Sequence, residues 1–284
     1  MSHLPLHQDQ LNFMVDLARA RLEFLDPFFH FLGYFDSPYF FFVLIPVLWF
    51  AVSYQWGIRI FYWFSLNSLI NTAVKNLVGW PRPSTDMPSI GLLHPHSYGF
   101  PSGGAQTALF LGLILIAYGK TRAAWVAGLI YILLISFSRL YLGVHYPIDI
   151  LGGWVIALAL FFLFVPAKKR LEPWLFKKGP YFSLTLSVAI PLLILFFFPK
   201  TSYIMGSVLG VGIGSYFSIR YHLFLPKPKN IGIGIGRSFA AIALLFTLVF
   251  LLPGKDTFFH SFVAGLFMSL AASPLCKWLI DRKG

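Results

Sequence analysis

The densest run of polar groups in an otherwise apolar chain is Ser138-Arg139-Leu140-Tyr141-Leu142-Gly143-Val144-His145-Tyr146-Pro147-Ile148-Asp149. Its chemistry turns on two residues four apart. Proline is favoured in the first turn of a helix, so a helix beginning at Pro147 puts Asp149 in its first turn, within reach of the His145 imidazole. A carboxylate on one ring nitrogen fixes the tautomer and leaves the other nitrogen free to attack or to take a proton. The same residues also make an ordinary helix corner in which His145 and Asp149 cap orphan amides. This stretch alone does not separate the two readings.

Two further stretches carry partners that a reactive histidine needs. Lys75 lies near the end of an apolar segment that finishes Asn71-Thr72-Ala73-Val74-Lys75-Asn76-Leu77-Val78-Gly79, and Arg82 opens the long irregular loop 80–101. Either one alone reads as a snorkelling anchor. That reading does not explain why Lys75, Arg82 and Arg139 gather on a face otherwise poor in basic residues. Phe100-Pro101-Ser102-Gly103-Gly104-Ala105-Gln106 then leads directly into an apolar helix. Ser102 is a natural N-cap, and the glycines leave backbone N–H groups open at the positive end of the helix dipole, where phosphate binds readily. By itself this piece is equally an ordinary cap with a glycine-lightened first turn. Together the three stretches suit an oxyanion with its charge spread over three oxygens and attacked in line by nitrogen, because phosphoryl transfer needs little beyond positioning and dispersed positive charge.

With these residues the chain resembles the type 2 phosphatidic acid phosphatases, or lipid phosphate phosphatases, which share a fold with glucose-6-phosphatase and the vanadium haloperoxidases. The family pattern is K-x6-R-P, then P-S-G-H, then S-R-x5-H-x3-D. Lys75-x6-Arg82-Pro83 matches the first motif and Ser138-Arg139-x5-His145-x3-Asp149 the third. The resemblance implies that His145 is the nucleophile that becomes phosphohistidine and that Asp149 orients it. It also implies that Lys75, Arg82, Ser102, Gly103 and Arg139 hold the phosphate, and that neither a metal nor another cofactor is required. It covers residues 75–149 and, with flanking helices, roughly 39–165.

The second motif departs from the family pattern. It reads Pro101-Ser102-Gly103-Gly104, so the histidine that protonates the leaving group in the family is absent. An alkoxide needs that proton in the transition state, whereas a phosphate leaving group, with a second pKa of about 6–7, needs much less help. Three consequences follow as alternatives: the substrate is a lipid diphosphate; another acid, His94, His96 or Asp86, swings in; or the protein is weakly active or inactive. His94 and His96 flank a proline in an exposed loop with no Cys, Glu or third ligand on a helix, so the pair reads as a polar loop and not a metal site.

The elements that must position these groups are membrane helices. With 57% hydrophobic, 19% aromatic and 11% charged residues over 284 positions, the chain is an all-α polytopic membrane bundle. Its expected core is phosphatidic acid phosphatase/haloperoxidase-like, with about four extra C-terminal spans. Met1 to Gln10 has neither the basic nor the apolar region of a signal peptide, and the single Cys276 excludes an internal disulfide framework. Residues 8–34 carry too many charges to cross and are expected to form an amphipathic interfacial helix, giving an N-terminal region 1–38 that ends at Asp36-Ser37-Pro38. Spans are expected near 39–55, 58–79, 102–118, 123–143, 147–165, 181–199, 203–219, 237–252 and 257–279, which divides the chain into a core 39–165 and an extension 166–284.

The net charge of +12 suggests nucleic acid until the charges are placed along the chain. Arg59, Lys120, Arg122, Lys168, Lys169, Arg170, Lys177, Lys178, Arg220, Lys227, Lys229, Arg237, Lys277, Arg282 and Lys283 fall on one side of the nine-span pattern. That is 15 of the 22 basic residues, which marks the cytoplasm and leaves no nucleic-acid partner to invoke. Ser138 to Asp149 then faces the other side, expected to be the outer face of a plasma (inner) membrane. Gly206, Gly210 and Gly214 are expected to form a close helix-packing seam; Gly232, Gly234 and Gly236 read as a flexible turn.

The leading expectation is a membrane phosphatase of lipid phosphates or diphosphates, with undecaprenyl diphosphate favoured over phosphatidate because it suits Gly104. A lipid phosphotransferase using the same histidine is one alternative. A non-catalytic protein that binds or moves phospholipid is another.

Overall fold

All nine expected segments are helical over most or all of their length in the computed structural model, which describes residues 5–252 and 257–280. Arg282 and Lys283, which enter the charge pattern above, lie outside the described residues. Among the described residues six helices are long and apolar enough to cross a membrane: Arg122–Tyr141, Pro147–Lys177, Pro180–Phe197, Pro199–Arg220, Ile231–Leu251 and Thr257–Leu279. A seventh is added if Glu23–Asp36 and Tyr39–Val52, bent by 66° to each other, count as one. The expected count of nine is therefore reduced. The two remaining segments are helices of a different character. Gly103–Gly119 is short, and Tyr54–Val78 carries Asn67, Asn71 and Lys75 in its second half. Both bring polar groups to the site, as the spans that carry Arg139 and Asp149 also do.

The described residues pack as two compact units, Met1–Phe40 with Asn67–Val165 and Phe41–Leu66 with Pro166–Gly284. In the first, the N-terminal stretch is two helices, Pro5–Arg19 and Asp26–Gly33, where one amphipathic helix over 8–34 is expected from sequence. The break follows from local chemistry. Leu22 is extended, Pro27 sits in the first turn of the second helix, and Arg21 Nη2 donates to Ile90 O at 2.6 Å. The second of these helices is a packed element: Phe29 and Leu32 are buried with Ala108, Ile135, Tyr141, Leu142 and Val144. The Phe29 ring stacks on Tyr141 with centroids 3.8 Å apart, and the Tyr141 hydroxyl bonds Asp26 Oδ1 at 2.6 Å.

In the second unit Arg59 meets Glu172 in a two-pronged ion pair at 2.7 Å on both bonds. The glycine seam is present. A methyl group at Gly206, Gly210 or Gly214 would overlap Phe258 O, Phe262 O or Ser269 Oγ, and Gly265 returns the close approach against Ser207 O. Gly232, Gly234 and Gly236, expected to be a turn, instead open the helix Ile231–Leu251. Asn230 reverses that expectation: its Oδ1 accepts from Ile233 N at 2.9 Å, a side-chain cap strong enough to start a helix over glycines.

Candidate active site

Helix Arg122–Tyr141 ends in Ser138 and Arg139, the chain turns through Gly143 at φ +70°, and helix Pro147–Pro166 starts at the expected proline. The turn is not free. Ser84 N donates to Gly143 O at 3.1 Å and Leu92 N to Leu142 O at 3.0 Å, so the 80–101 loop is docked on it. This docking brings Arg82 to His145.

His145 Nδ1 lies 3.2 Å from Asp149 Oδ2, and Arg82 Nη1 lies 3.0 Å from His145 Nε2. A guanidinium can only donate, so Nε2 must present its lone pair and Nδ1 must carry the proton that Asp149 accepts. The tautomer is thus fixed from both ends, and the lone pair points at a cation. Arg82 is itself held by Val144 O, Ser97 O and Ser97 Oγ at 2.8, 2.6 and 2.9 Å. Asp149 Oδ2 also accepts from Tyr146 N at 2.9 Å. Its Oδ1 is buried and has no partner among the described residues. The side chains of His145 and Asp149 are 2% and 1% exposed.

Ser102 caps helix Gly103–Gly119 through its hydroxyl, which accepts from Ala105 N, and its own N–H donates to Asp149 O at 2.9 Å. The glycine-opened helix start is thereby fastened to the first turn of the next helix. Lys75 Nζ donates to Tyr98 O at 2.6 Å and Gly99 O at 3.0 Å. Arg139 uses Nε and Nη2 on Ser138 Oγ at 3.1 and 3.0 Å, and its Nη1 donates to Asp36 Oδ2 at 3.3 Å. The sequence motifs therefore meet: Lys75, Arg82, Ser102, Gly103, Arg139, His145 and Asp149 all belong to the first unit, and the three cations act together on His145.

The three suggested substitute acids have different surroundings. Asp86 Oδ2 accepts the Tyr146 hydroxyl at 2.6 Å and lies 3.2 Å from His7 Nε2, which makes it a tie between loop and N-terminal helix. His94 and His96 are exposed and line a pocket of about 420 Å3 together with Arg82, Ser84, Ser97 and Tyr98. Among the described residues no three His, Cys, Asp or Glu side chains group so as to hold a metal ion.

Two features escape a reading of the sequence. One is a buried amide relay beneath the helix start: Asn71 Nδ2 donates to Gln106 Oε1 at 2.8 Å, Gln106 Nε2 to Asn67 Oδ1 at 2.9 Å, and Asn67 Nδ2 to Thr107 Oγ1 at 3.0 Å. Amides four apart in a helix, followed by Gln-Thr just after the glycines, are the signal that could have exposed it. The other is Asp36.

Burial pushes the His145 imidazole well below its ordinary range, and the charges of Arg82, Lys75 and Arg139 push the same way. In the unfolded chain the ring takes a proton near pH 6.5; in the fold it does so only at lower pH. Stability carried by the neutral ring is complete above about pH 6.5 and is lost as pH falls toward the folded-state value, by up to about 1.4 kcal/mol per pH unit. In phosphate-free buffer the melting temperature should therefore fall more steeply between about pH 7 and about pH 5 in the unaltered protein than in His145→Ala. Parallel slopes would contradict a neutral buried ring.

Helices of membrane length make this a polytopic membrane protein, and its first unit buries a carboxylate-held imidazole beside cationic side chains. Residues 56–172 match the family model described as PAP2 superfamily, in agreement with the resemblance that the motifs carry. It is 25% identical over 249 residues to a probable sphingosine-1-phosphate phosphatase of Dictyostelium discoideum, covering 78% of this chain and 60% of that protein. It is 30% identical over 130 residues to an undecaprenyl-diphosphatase of Sulfolobus acidocaldarius, covering 44% of this chain and 63% of that one. The chain thus spans less than two thirds of the length of either relative. The crystal structure of a transmembrane PAP2 type phosphatidylglycerolphosphate phosphatase from Bacillus subtilis superposes with a TM-score of 0.51 at 22% identity, covering 59% of this chain and 89% of that one. At that identity the likeness speaks for the fold.

Proposed function

We propose that this chain is a membrane phosphatase of lipid phosphates and diphosphates that works through a phosphohistidine at His145. The observation that carries the reading is the pair of contacts on one ring, Arg82 on Nε2 and Asp149 on Nδ1. A neutral imidazole with its lone pair aimed into positive charge is poised for an anionic electrophile, and an entering phosphate takes over the N–H bonds that Arg82 and Arg139 now spend on protein atoms. Nε2 then attacks phosphorus, the lipid oxygen departs, and Asp149 offsets the positive charge that develops on the ring. Water cleaves the N–P bond in the second half.

The relatives' names support a lipid carrying a phosphate or diphosphate head group. Gly104 favours polyprenyl diphosphate over phosphatidate, since phosphate leaves with less help than an alkoxide. The distribution of Lys and Arg supports a site on the non-cytoplasmic face of a plasma (inner) membrane, with residues 39–165 as catalytic core and 166–284 as an extension. The test is phosphate release by the purified protein from undecaprenyl diphosphate and from phosphatidate in matched micelles. The diphosphate should turn over faster, and release from neither would sink the proposal.

A further inference from the structure

Asp36 occupies the place that the second motif leaves vacant. Gly104 is buried, and a Cβ built there would lie 2.9 Å from Asp36 Cγ, 3.0 Å from Asp36 Oδ2 and 3.1 Å from Arg139 Cδ. The space that a larger residue at 104 would need is therefore filled by a carboxylate arriving from more than a hundred residues away in sequence from Arg139. Its position is fixed from two directions. Arg139 Nη1 holds Oδ2, and Asp36 ends the turn Tyr34–Asp36, which continues the helix anchored by Phe29 and Leu32. Ser37 Oγ closes that turn on Tyr34 O at 2.6 Å. The carboxylate acts electrostatically on Lys75, Arg82 and Arg139, and also on Tyr131, whose buried hydroxyl has no hydrogen-bond partner among the described residues. Unlike His145 and Asp149, Asp36 is open to solvent, with 31% of its side chain exposed.

We infer that Asp36 is the proton donor to the leaving group, doing from the N-terminal segment what the residue at 104 cannot; this rests on the phosphatase reading above. An ion pair serving only structure would not need to stand at the rim of an oxyanion site. Arg139 has a second partner in Ser138 Oγ, so the orientation of its guanidinium does not depend on Asp36 alone. A phosphate entering the cup is drawn to the same guanidinium and so comes to lie beside the Asp36 carboxyl.

The step then balances. The Nε2 lone pair of His145 forms the N–P bond while the P–O bond to the lipid breaks. The departing oxygen keeps that electron pair and takes the Asp36 proton, leaving an alcohol and a carboxylate. In the second half the carboxylate accepts a proton from water as the water oxygen bonds phosphorus and the N–P bond breaks. This frees His145, restores the acid and releases inorganic phosphate. With that proton supplied, lipid monophosphates, whose leaving oxygen is an alkoxide, come within reach of a site lacking the family's histidine.

The experiment compares two leaving groups on Asp36→Asn, which keeps the side chain's shape and can still accept from Arg139. Octyl phosphate loses an alkoxide and p-nitrophenyl phosphate a stable anion, so only the first depends on the acid. Octyl phosphate turnover should fall about 10²-fold or more, the scale of general acid catalysis. Turnover of p-nitrophenyl phosphate should fall less than about tenfold, which also reports that the variant is folded. In an Asp36→Ala background, Gly104→His should raise octyl phosphate turnover, because the space that the carboxylate filled is then open to the imidazole. Equal losses on both substrates would reduce Asp36 to a partner of Arg139, and no loss or a gain would overturn the proposal outright. If the unaltered protein hydrolyses neither ester nor undecaprenyl diphosphate, it is the phosphatase reading that fails.

Discussion

His145→Ala should abolish phosphate release, lowering turnover by at least about 10⁴-fold, on the scale of losing a catalytic nucleophile. The alanine variant keeps Lys75 on Tyr98 O and Gly99 O, Arg82 on Val144 O, Ser97 O and Ser97 Oγ, and Arg139 on Ser138 Oγ and Asp36 Oδ2. It should thus still bind an anion and yet have nothing to attack it with. The pocket histidines His94 and His96 are exposed and cannot inherit the job, because among the described residues neither is held by a carboxylate in the way that fixes His145. Two measurements check the expectation: phosphate release under saturating lipid, and acid-labile labelling of the protein by a radiolabelled substrate, which should vanish together. Retention of even a few per cent of the release would mean that water is activated elsewhere and that the imidazole is a structural group.

The spacing of the motifs made most of this centre legible before any coordinates. Pro147 opens its helix where the sequence puts it, Asp149 lands on the ring four residues back, and Ser102 caps the helix that the two glycines begin. These are local relations, set by helix geometry within a few residues, and local relations survive in sequence. What did not survive is long-range. Asp36 and Arg139 are 103 residues apart, and nothing around Asp36-Ser37-Pro38 distinguishes a site carboxylate from the polar edge of an apolar segment. The span count came out lower for two reasons: Tyr54–Val78 devotes residues to Asn67, Asn71 and Lys75, which dilutes its apolar character, and Gly103–Gly119 is apolar but short. The glycines at 232, 234 and 236 misled because one capping residue, Asn230, outweighed their low helix propensity.

The companion expectation concerns Asp149 and separates two things that this carboxylate does. Oδ2 alone accepts both the ring proton at 3.2 Å and the Tyr146 N–H at 2.9 Å. An asparagine oxygen in the same place can accept both, with its NH2 taking the position of the partnerless Oδ1. Asp149→Asn therefore keeps the tautomer and removes only the charge, whereas Asp149→Ala removes both. The charge matters here because phosphorylation of Nε2 leaves the ring cationic among three other cations. Turnover should fall about 10²–10³-fold in Asp149→Asn, the usual size of a lost preorganised electrostatic contact. It should fall about 10⁴-fold in Asp149→Ala, where the ring is also free to take the wrong tautomer. Ser102 N bonds the backbone carbonyl of residue 149, so neither change unfastens the helix start, and phosphate affinity should move much less than turnover. Equal losses in the two variants would mean that the charge, not the ring's orientation, is the whole of what Asp149 contributes.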